Sequence, residues 1–263
     1  MIDLSICIVT MNHKKVFEYC LKSIENNPPE NYSYEIVVVD NCSSDSIDEV
    51  VFKYKDLLPI TFIKNYKRLN FSENNNICMR KSRGRYYLIL NPDTIIFSQT
   101  LDYMISFMDN HPKIGASSCK LLYNDKSFQE NCRRFPKLSY VISNRLNSLG
   151  ISIFNKTRDK YIQCSPNDIS PKPVDWIIGA FMLLRRSTIT EVGMFDERFT
   201  LYFEDTDLCF RIWEKGWEVF YVPQVSIIHL YERSASKSLL NKKAVIQIYT
   251  LILFYFKNYF KMI

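Results

Sequence analysis

Glycine is scarce, with only 6 in 263 residues. No G-x-G-x-x-G follows the first strand candidate and no lysine-bearing P-loop occurs, which excludes the common glycine-rich cradles for dinucleotides and ATP. Asparagine is plentiful instead, and is expected to take many of the turn positions that glycine usually fills. No C-x-x-C pair exists among the 8 cysteines, and several of them lie inside apolar runs. A zinc ribbon and a secreted disulfide framework are therefore excluded, and reduced thiols in a cytoplasmic protein are expected. No basic leader precedes the apolar run Leu4–Val9, so no signal peptide is expected. Internal repeats are absent. Hydrophobic residues at 47% and charged residues at 24% also exclude wholesale disorder and fibrous architectures.

The length suits one large α/β domain or two small ones. The net charge of +6 is unevenly spread: residues 1–132 carry −1, 133–160 carry +6, 161–232 carry −5, and 233–263 carry 6 cations and no acid. Two basic stretches thus flank an acidic one. They suit either contact with an anionic partner, a phosphorylated ligand or a membrane surface, or simple solubilisation.

Apolar runs alternate with helical patterns through the first half. Strands are expected at Leu4–Val9, Glu35–Val39, Ile60–Ile63 and Tyr86–Leu90. Helices are expected near Lys14–Asn26, Ser46–Tyr54 (with Ser43, Ser44 and Asp45 as candidate caps) and Ser72–Ser82. Near-continuous apolar strands separated by helices imply a parallel sheet covered on both faces. Ligands bind beyond the carboxyl ends of such strands. Those ends carry Thr10-Met11-Asn12, Asp40-Asn41 and Asn91-Pro92-Asp93. Asp93 is the candidate holder of a divalent cation, since oxygen ligands suit magnesium or manganese; an ordinary turn is the alternative, because Asn, Pro and Asp all form turns.

In the second half, Val174–Arg186 reads as a strand interrupted by Gly179, marking either a close approach or a bulge. A loop over Glu191–Phe199 follows, then a helix opening at Tyr202 and reaching about Lys215. Glu204, Asp205 and Asp207 fall in its first turn. The helix dipole favours acids there, but three carboxylates in four residues exceed what capping requires. Their crowding raises the pKa of at least one and suits a general base. Strands Glu218–Val222 and Val225–Leu230 come next. His229, inside the second, is either a satisfied core residue or a metal ligand.

Taken in order, S-I-C-I-V-T-M-N (5–12), E-I-V-V-V-D-N-C-S-S-D (35–45), Y-L-I-L-N-P-D (87–93), V-D-W-I-I-G-A-F-M-L-L-R-R (174–186), G-M-F-D-E-R-F (193–199), E-D-T-D-L-C-F-R (204–211) and G-W-E-V-F-Y-V-P (216–223) cover residues 3–232. In this order they resemble the family-2 glycosyltransferases of the GT-A fold, in their rhamnosyltransferase-like branch. The resemblance implies an α/β GT-A domain with a Rossmann-like, mostly parallel central sheet and helices on both faces. It implies inverting transfer of a sugar from a dTDP- or UDP-sugar to a glycan or lipid-linked acceptor in bacterial surface polysaccharide synthesis. Thr10 and Asn12 would line the nucleotide pocket and Asp40 would contact base or ribose. Asp93 matches the last carboxylate of the family's D-x-D motif, with Asn91 in place of the first. Asp205, in a pair with Glu204, matches the catalytic base. Trp176, Gly179 and Ala180, together with Arg133 and Arg134, would face sugar or acceptor, and Tyr202, Trp176 and Trp213 are available for stacking. His229 falls where some relatives ligate a metal, so Mn2+ or Mg2+ is the implied cofactor, held by Asp93 and His229. One departure is Arg68-Leu69-Asn70-Phe71 where the branch often has N-L-G-F; Asn70 is expected to adopt the left-handed turn of the missing glycine.

The catalytic domain is expected over 1–232, with an acceptor-side variable region over 133–173 and a basic, aromatic helical tail over 233–263. Leu138–Leu149 is a short amphipathic candidate. The tail places 13 mostly apolar residues between Lys243 and Lys257. That is short of the roughly 20 a membrane span needs. It fits a helix in the bilayer interface, or one docked on the catalytic domain or on a second copy of the chain. The expected location is cytoplasmic, with peripheral contact to the inner face of the membrane as one reading of the tail; no nucleic-acid partner is expected. A catalytically silent sugar-nucleotide or glycan-binding module on the same fold is the competing function. A nucleotidyltransferase is disfavoured by the missing glycine- and lysine-rich loop.

Overall fold

The computed structural model describes residues 2–137, 161–230 and 242–259. The segment Leu138–Leu149 and the cations Arg145, Lys156, Arg158 and Lys160 lie outside them. The first half runs β1 (Leu4–Thr10), α1 (Lys14–Asn26), β2 (Tyr34–Asp40), α2 (Ile47–Tyr54), β3 (Ile60–Lys64), α3 (Phe71–Lys81) and β4 (Tyr86–Leu90). It continues with β5 (Thr94–Ile96), α4 (Thr100–Asn110), β6 (Ile114–Leu122), β7 (Phe128–Gln129) and β8 (Cys132–Arg133). The second half holds β9 (Lys172–Pro173), β10 (Trp176–Ile177), β11 (Phe181–Arg185) and α5 (Arg186–Val192). It ends with α6 (Glu204–Glu214), β12 (Glu218–His229) and α7 (Lys242–Asn258).

One sheet of 10 strands runs β3-β2-β1-β4-β11-β6-β12-β5, with β7 on β6 and β9 on β12. Its β3-β2-β1-β4 half is parallel. Strand β11 joins β4 to β6 antiparallel to both, and β6 and β12 are again parallel. Side-chain alternation sends Leu4, Ile6 and Ile8 of β1 to one apolar cluster with α1, α2 and α4. Cys7 faces the other, with α3, α5 and α6. Burial on both faces is why β1 and β2 read as continuous apolar runs rather than alternating ones.

Several expectations are corrected. Val174–Arg186 is not one strand: β10 pairs with β8 in a separate two-stranded sheet, β11 enters the main sheet, and Gly179 sits at the switch. Tyr202 and Phe203 precede the helix rather than opening it. The two strands expected over 218–230 are one, carried past Pro223 by a register shift between Val222 and Ser226. Ser43, Ser44 and Asp45 do not cap α2, whose N-cap is Ser46; Asp45 instead accepts the backbone N–H of Lys14, at the start of α1.

The asparagines do less turning than expected. Among the described residues Asn12 is the one asparagine at positive φ. Asn74, Asn75 and Asn76 are buried in α3, where their carboxamides donate to the carbonyls of Leu69, Asn70, Phe71 and Phe195. Asn70 is likewise not left-handed: its φ is −79° and ψ 176°. It is the N-cap of α3, accepting from Glu73 N while Glu73 Oε2 accepts from Asn70 N, a reciprocal capping box. Its Nδ2 also donates to the Glu197 carbonyl. Asn70→Ala should lower unfolding free energy by about 1 kcal/mol, and Asn70→Gly should cost a few tenths. A left-handed Asn70 would instead gain from glycine, so the sign of the Gly variant in urea unfolding decides between the two geometries.

Candidate active site

The parallel strands deliver their polar exits to one edge. Thr10 and Asp40 are direct partners in the β1–β2 register, and both are buried. The Thr10 hydroxyl finds no hydrogen-bond partner among the described residues. One Asp40 carboxylate oxygen accepts from Ser43 N. Asn12, held at φ 58°, ties the β1 exit to the β2 exit: its Oδ1 accepts from Ser44 N at 2.8 Å, and its own N–H donates to Ser43 Oγ. A cavity of about 600 Å³ opens beside this loop, lined by Asn12, His13, Lys14, Lys15, Asp45 and Asp93. Basic side chains and the Asp45 and Asp93 carboxylates therefore border one space at the β1 and β4 exits.

Asp93 follows β4, and its Oδ1 lies 3.4 Å from Nε2 of His229, at the end of β12. With the His229 ring protonated, its hydrogen bond and charge outweigh the burial of Asp93 and hold the carboxyl below its ordinary range. His229 Nδ1 lies 2.9 Å from Gln129 Oε1. Because that oxygen only accepts, a neutral ring carries its proton on Nδ1 and turns the Nε2 lone pair toward Asp93 and the Asn91 carboxamide, 3.3 Å away. A lone pair facing a carboxylate is a favourable arrangement when a cation lies between them. Carboxylate and imidazole donors with adjacent carboxamide suit Mg2+ or Mn2+ when a ligand's oxygens complete the shell. Among the described residues no group of three or more His, Cys, Asp or Glu is placed to hold a metal by itself. Asn91 also donates its backbone N–H to the Ala180 carbonyl, so buried Ala180 fixes the β4 exit, and it is not in the lining of either cavity described here.

The acidic turn of α6 is aimed by two consecutive left-handed residues, Tyr202 at φ 68° and Phe203 at φ 64°. Such angles are uncommon for side chains of this size and persist where surrounding packing imposes them. Asp205 Oδ1 accepts from Thr206 N at 2.7 Å, and Oδ2 accepts from Gly179 N at 3.2 Å. Burial raises the Asp205 carboxyl, while these donors and Arg133 act for its charged form. Glu204 Oε2 is buried without a hydrogen-bond partner among the described residues; desolvation, then the charge of Asp205, pushes this carboxyl far up. Burial thus disfavours the charged form of both neighbouring acids, and only Asp205 has backbone donors acting for its anion.

Both line a second cavity, of about 330 Å³, with Arg133, Trp176, Tyr202 and His229. Trp176 is fixed by its indole N–H to the Arg134 carbonyl, and the Arg133 guanidinium sits 5.3 Å from its ring. Arg134 contributes through its backbone, which also bonds Tyr161. Trp213 is not in this lining; its indole N–H donates to the Val174 carbonyl. His229 lines the cavity of Asp205 and contacts Asp93 of the other, so the two carboxylates from distant parts of the chain approach one locality. Tyr123, Gln129, Glu130, Tyr161 and Gln247 also line it. No motif marked them, and Gln129 is found only through its contact with His229.

The profile of Glycosyl transferase family 2 matches residues 5–191. The chain belongs to this family, and it is a glycosyltransferase. Rhamnosyltransferase WbbL of Escherichia coli K12 is 31% identical over 90% of this chain and 86% of its own length. The N-acetylglucosaminyl-diphospho-decaprenol L-rhamnosyltransferase of Mycobacterium tuberculosis is 30% identical over 55% of this chain, which spans only 46% of that enzyme. Among solved structures, S. aureus TarS 1–349 with UDP-GlcNAc has a TM-score of 0.66 at 15% identity, covering 98% of this chain and 67% of its own. Mannosyltransferase PcManGT from Pyrobaculum calidifontis, with GDP-Man and Mn2+, has a TM-score of 0.61 at 17% identity, covering 89% of this chain and 60% of its own. These similarities establish the GT-A fold expected from the motifs.

The Glu204 environment has a consequence for stability. Its folded carboxyl binds a proton more tightly than the unfolded one, so between the two pKa values the folded state holds more protons and loses stability as pH rises. Thermal melts should therefore fall in midpoint from the ordinary carboxylate range upward, and Glu204→Gln should flatten that slope. An unchanged slope would mean Glu204 is ionised and paired.

Proposed function

We propose that the chain transfers a sugar, with inversion at the anomeric carbon, from a dTDP- or UDP-sugar to a glycan or lipid-linked saccharide destined for a bacterial surface polysaccharide. The observation that carries this reading is His229, which lines the cavity of Asp205 while touching Asp93. A donor diphosphate beside Asp93 and an acceptor hydroxyl beside Asp205 would then meet at one carbon. The names of WbbL and the mycobacterial enzyme support a rhamnosyl or related donor and a diphospholipid-linked acceptor.

In this mechanism Asp205 takes the proton of the attacking hydroxyl as the new glycosidic bond forms. Gly179 N and Thr206 N hold its carboxylate in place. With its charged form disfavoured by burial, Glu204 spares Asp205 an adjacent negative charge. The bond from the anomeric carbon to the diphosphate breaks on the opposite face, and the leaving group departs with the electron pair. Thr10, Asn12 and Asp40 would bind the nucleoside, and Lys15 and His13 would stand near its phosphates. Asp93 and His229 would hold Mn2+ or Mg2+, which when bound supplies Lewis-acid stabilisation of the leaving diphosphate. Trp176, Tyr202 and Arg133 would receive the sugar and acceptor.

Release of nucleoside diphosphate across a panel of dTDP- and UDP-sugars tests this. Asp205→Asn should lower kcat by about 10²- to 10⁴-fold with donor binding retained. Turnover that survives the substitution would remove the assigned base. A wild-type chain that binds donor without turnover would instead be the silent binding module.

The location proposed is cytoplasmic, at the inner membrane face. No helix among the described residues is long and apolar enough to cross a membrane. Helix α7 nevertheless leaves Val245, Ile248, Tyr249, Ile252 and Phe256 exposed along one face. The basic 233–263 segment would repel its own copy and attract anionic lipid, which favours a bilayer interface over a homodimer. Ile248→Asp with Ile252→Asp should abolish flotation with anionic vesicles while leaving the melting temperature unchanged. Retained flotation, or a wild-type dimer dissolved by the same pair, would reject membrane docking of this face.

A further inference from the structure

Asp207 is a fully buried carboxylate two residues beyond the proposed base. A charge so placed is costly unless it is paired. Arg211, one turn along α6, supplies Nε at 2.8 Å. The other partners come from α7, beyond residues 5–191 that match the family. Lys257 Nζ reaches Asp207 Oδ1 at 2.7 Å, and Asn258 Nδ2 donates to the same oxygen at 3.0 Å. The same ammonium lies 2.7 Å from Asp196 Oδ2, in the loop before α6.

On the other side of the acidic pair, the same helix presses on the left-handed turn. Phe203, immediately before Glu204, packs against Phe254 at a ring-centroid distance of 5.9 Å. Phe254 is fully buried, in a small apolar cluster with Phe199 and Leu253. One turn further along α7, Lys257 grips Asp207. Helix α7 thus touches the residue before Glu204-Asp205 and the second residue after it. Gln247 of α7 also lines the cavity into which the pair faces.

We propose that Lys257 is a positioning residue for the glycosyl-transfer reaction: through Asp207 it holds the first turn of α6, and with it the carboxylate of Asp205, in the orientation that accepts the acceptor's proton. The inference rests on the reading of Asp205 as base. It assigns the C-terminal helix a part in the chemistry although none of its residues is required to touch the reacting atoms.

The test uses the full chain with Lys257→Met, which keeps most of the apolar stem and removes the charge, and Lys257→Arg, which restores a cation. Asn258→Ala is the milder probe should Lys257→Met not fold. Hydrogen exchange is followed at the amides of Asp205, Thr206 and Asp207, and nucleoside diphosphate release is measured with the donor that the wild type turns over. In the folded Met variant, exchange at these amides should accelerate at least tenfold, kcat should fall at least tenfold with donor KM within twofold of wild type, and the acid limb of the kcat–pH profile should move. Arg should recover most of both. Asn258→Ala should show the same pattern at about two- to threefold. Unchanged protection and kcat in a folded variant would overturn the inference, as would a kcat loss matched by an equal change in donor KM or a Met variant that Arg fails to rescue. If the wild type turns over no donor, the glycosyltransferase mechanism fails on its own account, and the exchange measurement alone decides whether Lys257 holds the turn.

Discussion

Three carboxylates share the first turn of α6, and the site depends on their being kept in three different environments. Coulomb repulsion within one turn would otherwise expel or protonate whichever acid was least supported. Glu204 is buried with no hydrogen-bond partner on Oε2 among the described residues, so its neutral form is favoured. Asp205 receives backbone N–H groups from Thr206 and Gly179, which act for its anion. Asp207 is enclosed by Arg211, Lys257 and Asn258. The helix dipole alone favours all three equally and cannot separate them. Separation comes from β10–β11, from α7, and from the unusual turn at Tyr202-Phe203. None of these is local in sequence except the turn.

That explains what could be read from the chain and what could not. Strand exits were legible because both faces of the parallel sheet are buried, so the end of each apolar run marks the end of each strand. The order of the motifs then supplied the fold. Thr10, Asp40, Asn91 and Asp93 lie where that logic puts them, at adjoining strand ends. Helix starts were less legible where a side chain served a distant partner. Asp45 looks like a cap for its own helix and instead bonds the start of α1. Asn70 looks like a substitute for a turn glycine, yet the Glu three residues on marks a capping box, and the backbone follows the box. Gln129 and Gln247 carry no pattern at all, because a lone glutamine acquires a role only when tertiary contacts bring it to one.

The tail shows how an amphipathic pattern can serve two masters. Its periodicity admitted a bilayer or a protein surface as the covering phase. In the structure Leu253 and Phe254 are buried against Phe199, and Phe203 and Phe210 pack beside them, while a different stripe of the same helix stays exposed. A helix that is apolar on two sides has burial demands that one neighbour cannot meet. The inner side is met by the acidic half of the molecule through Lys257, where opposite charges meet: a basic tail against Asp196 and Asp207. The charge asymmetry seen along the sequence thus has an internal use.

The departure at Arg68-Leu69-Asn70-Phe71 is part of the same support. The capping box fixes where α3 begins, and Phe71 is its first residue. A Cβ at Gly179 would lie 3.0 Å from Cζ of Phe71, tighter than ordinary packing, so a side chain at 179 would push the ring back by a few tenths of an ångström. That close approach seats the Gly179 backbone at the switch between β10 and β11, with its N–H toward Asp205. Phe71 in turn packs edge-on against Phe195, whose carbonyl accepts from Asn76 of the same helix. Asn70 reaches the next part of that loop through the Glu197 carbonyl. Contacts therefore run from the cap of α3 through one aromatic ring and one glycine to Asp205, while Lys257 reaches its turn from the opposite end of the chain. Asp205 is held by elements from three regions of sequence because a single short helix, preceded by two residues in an unfavourable backbone conformation, could not fix it alone.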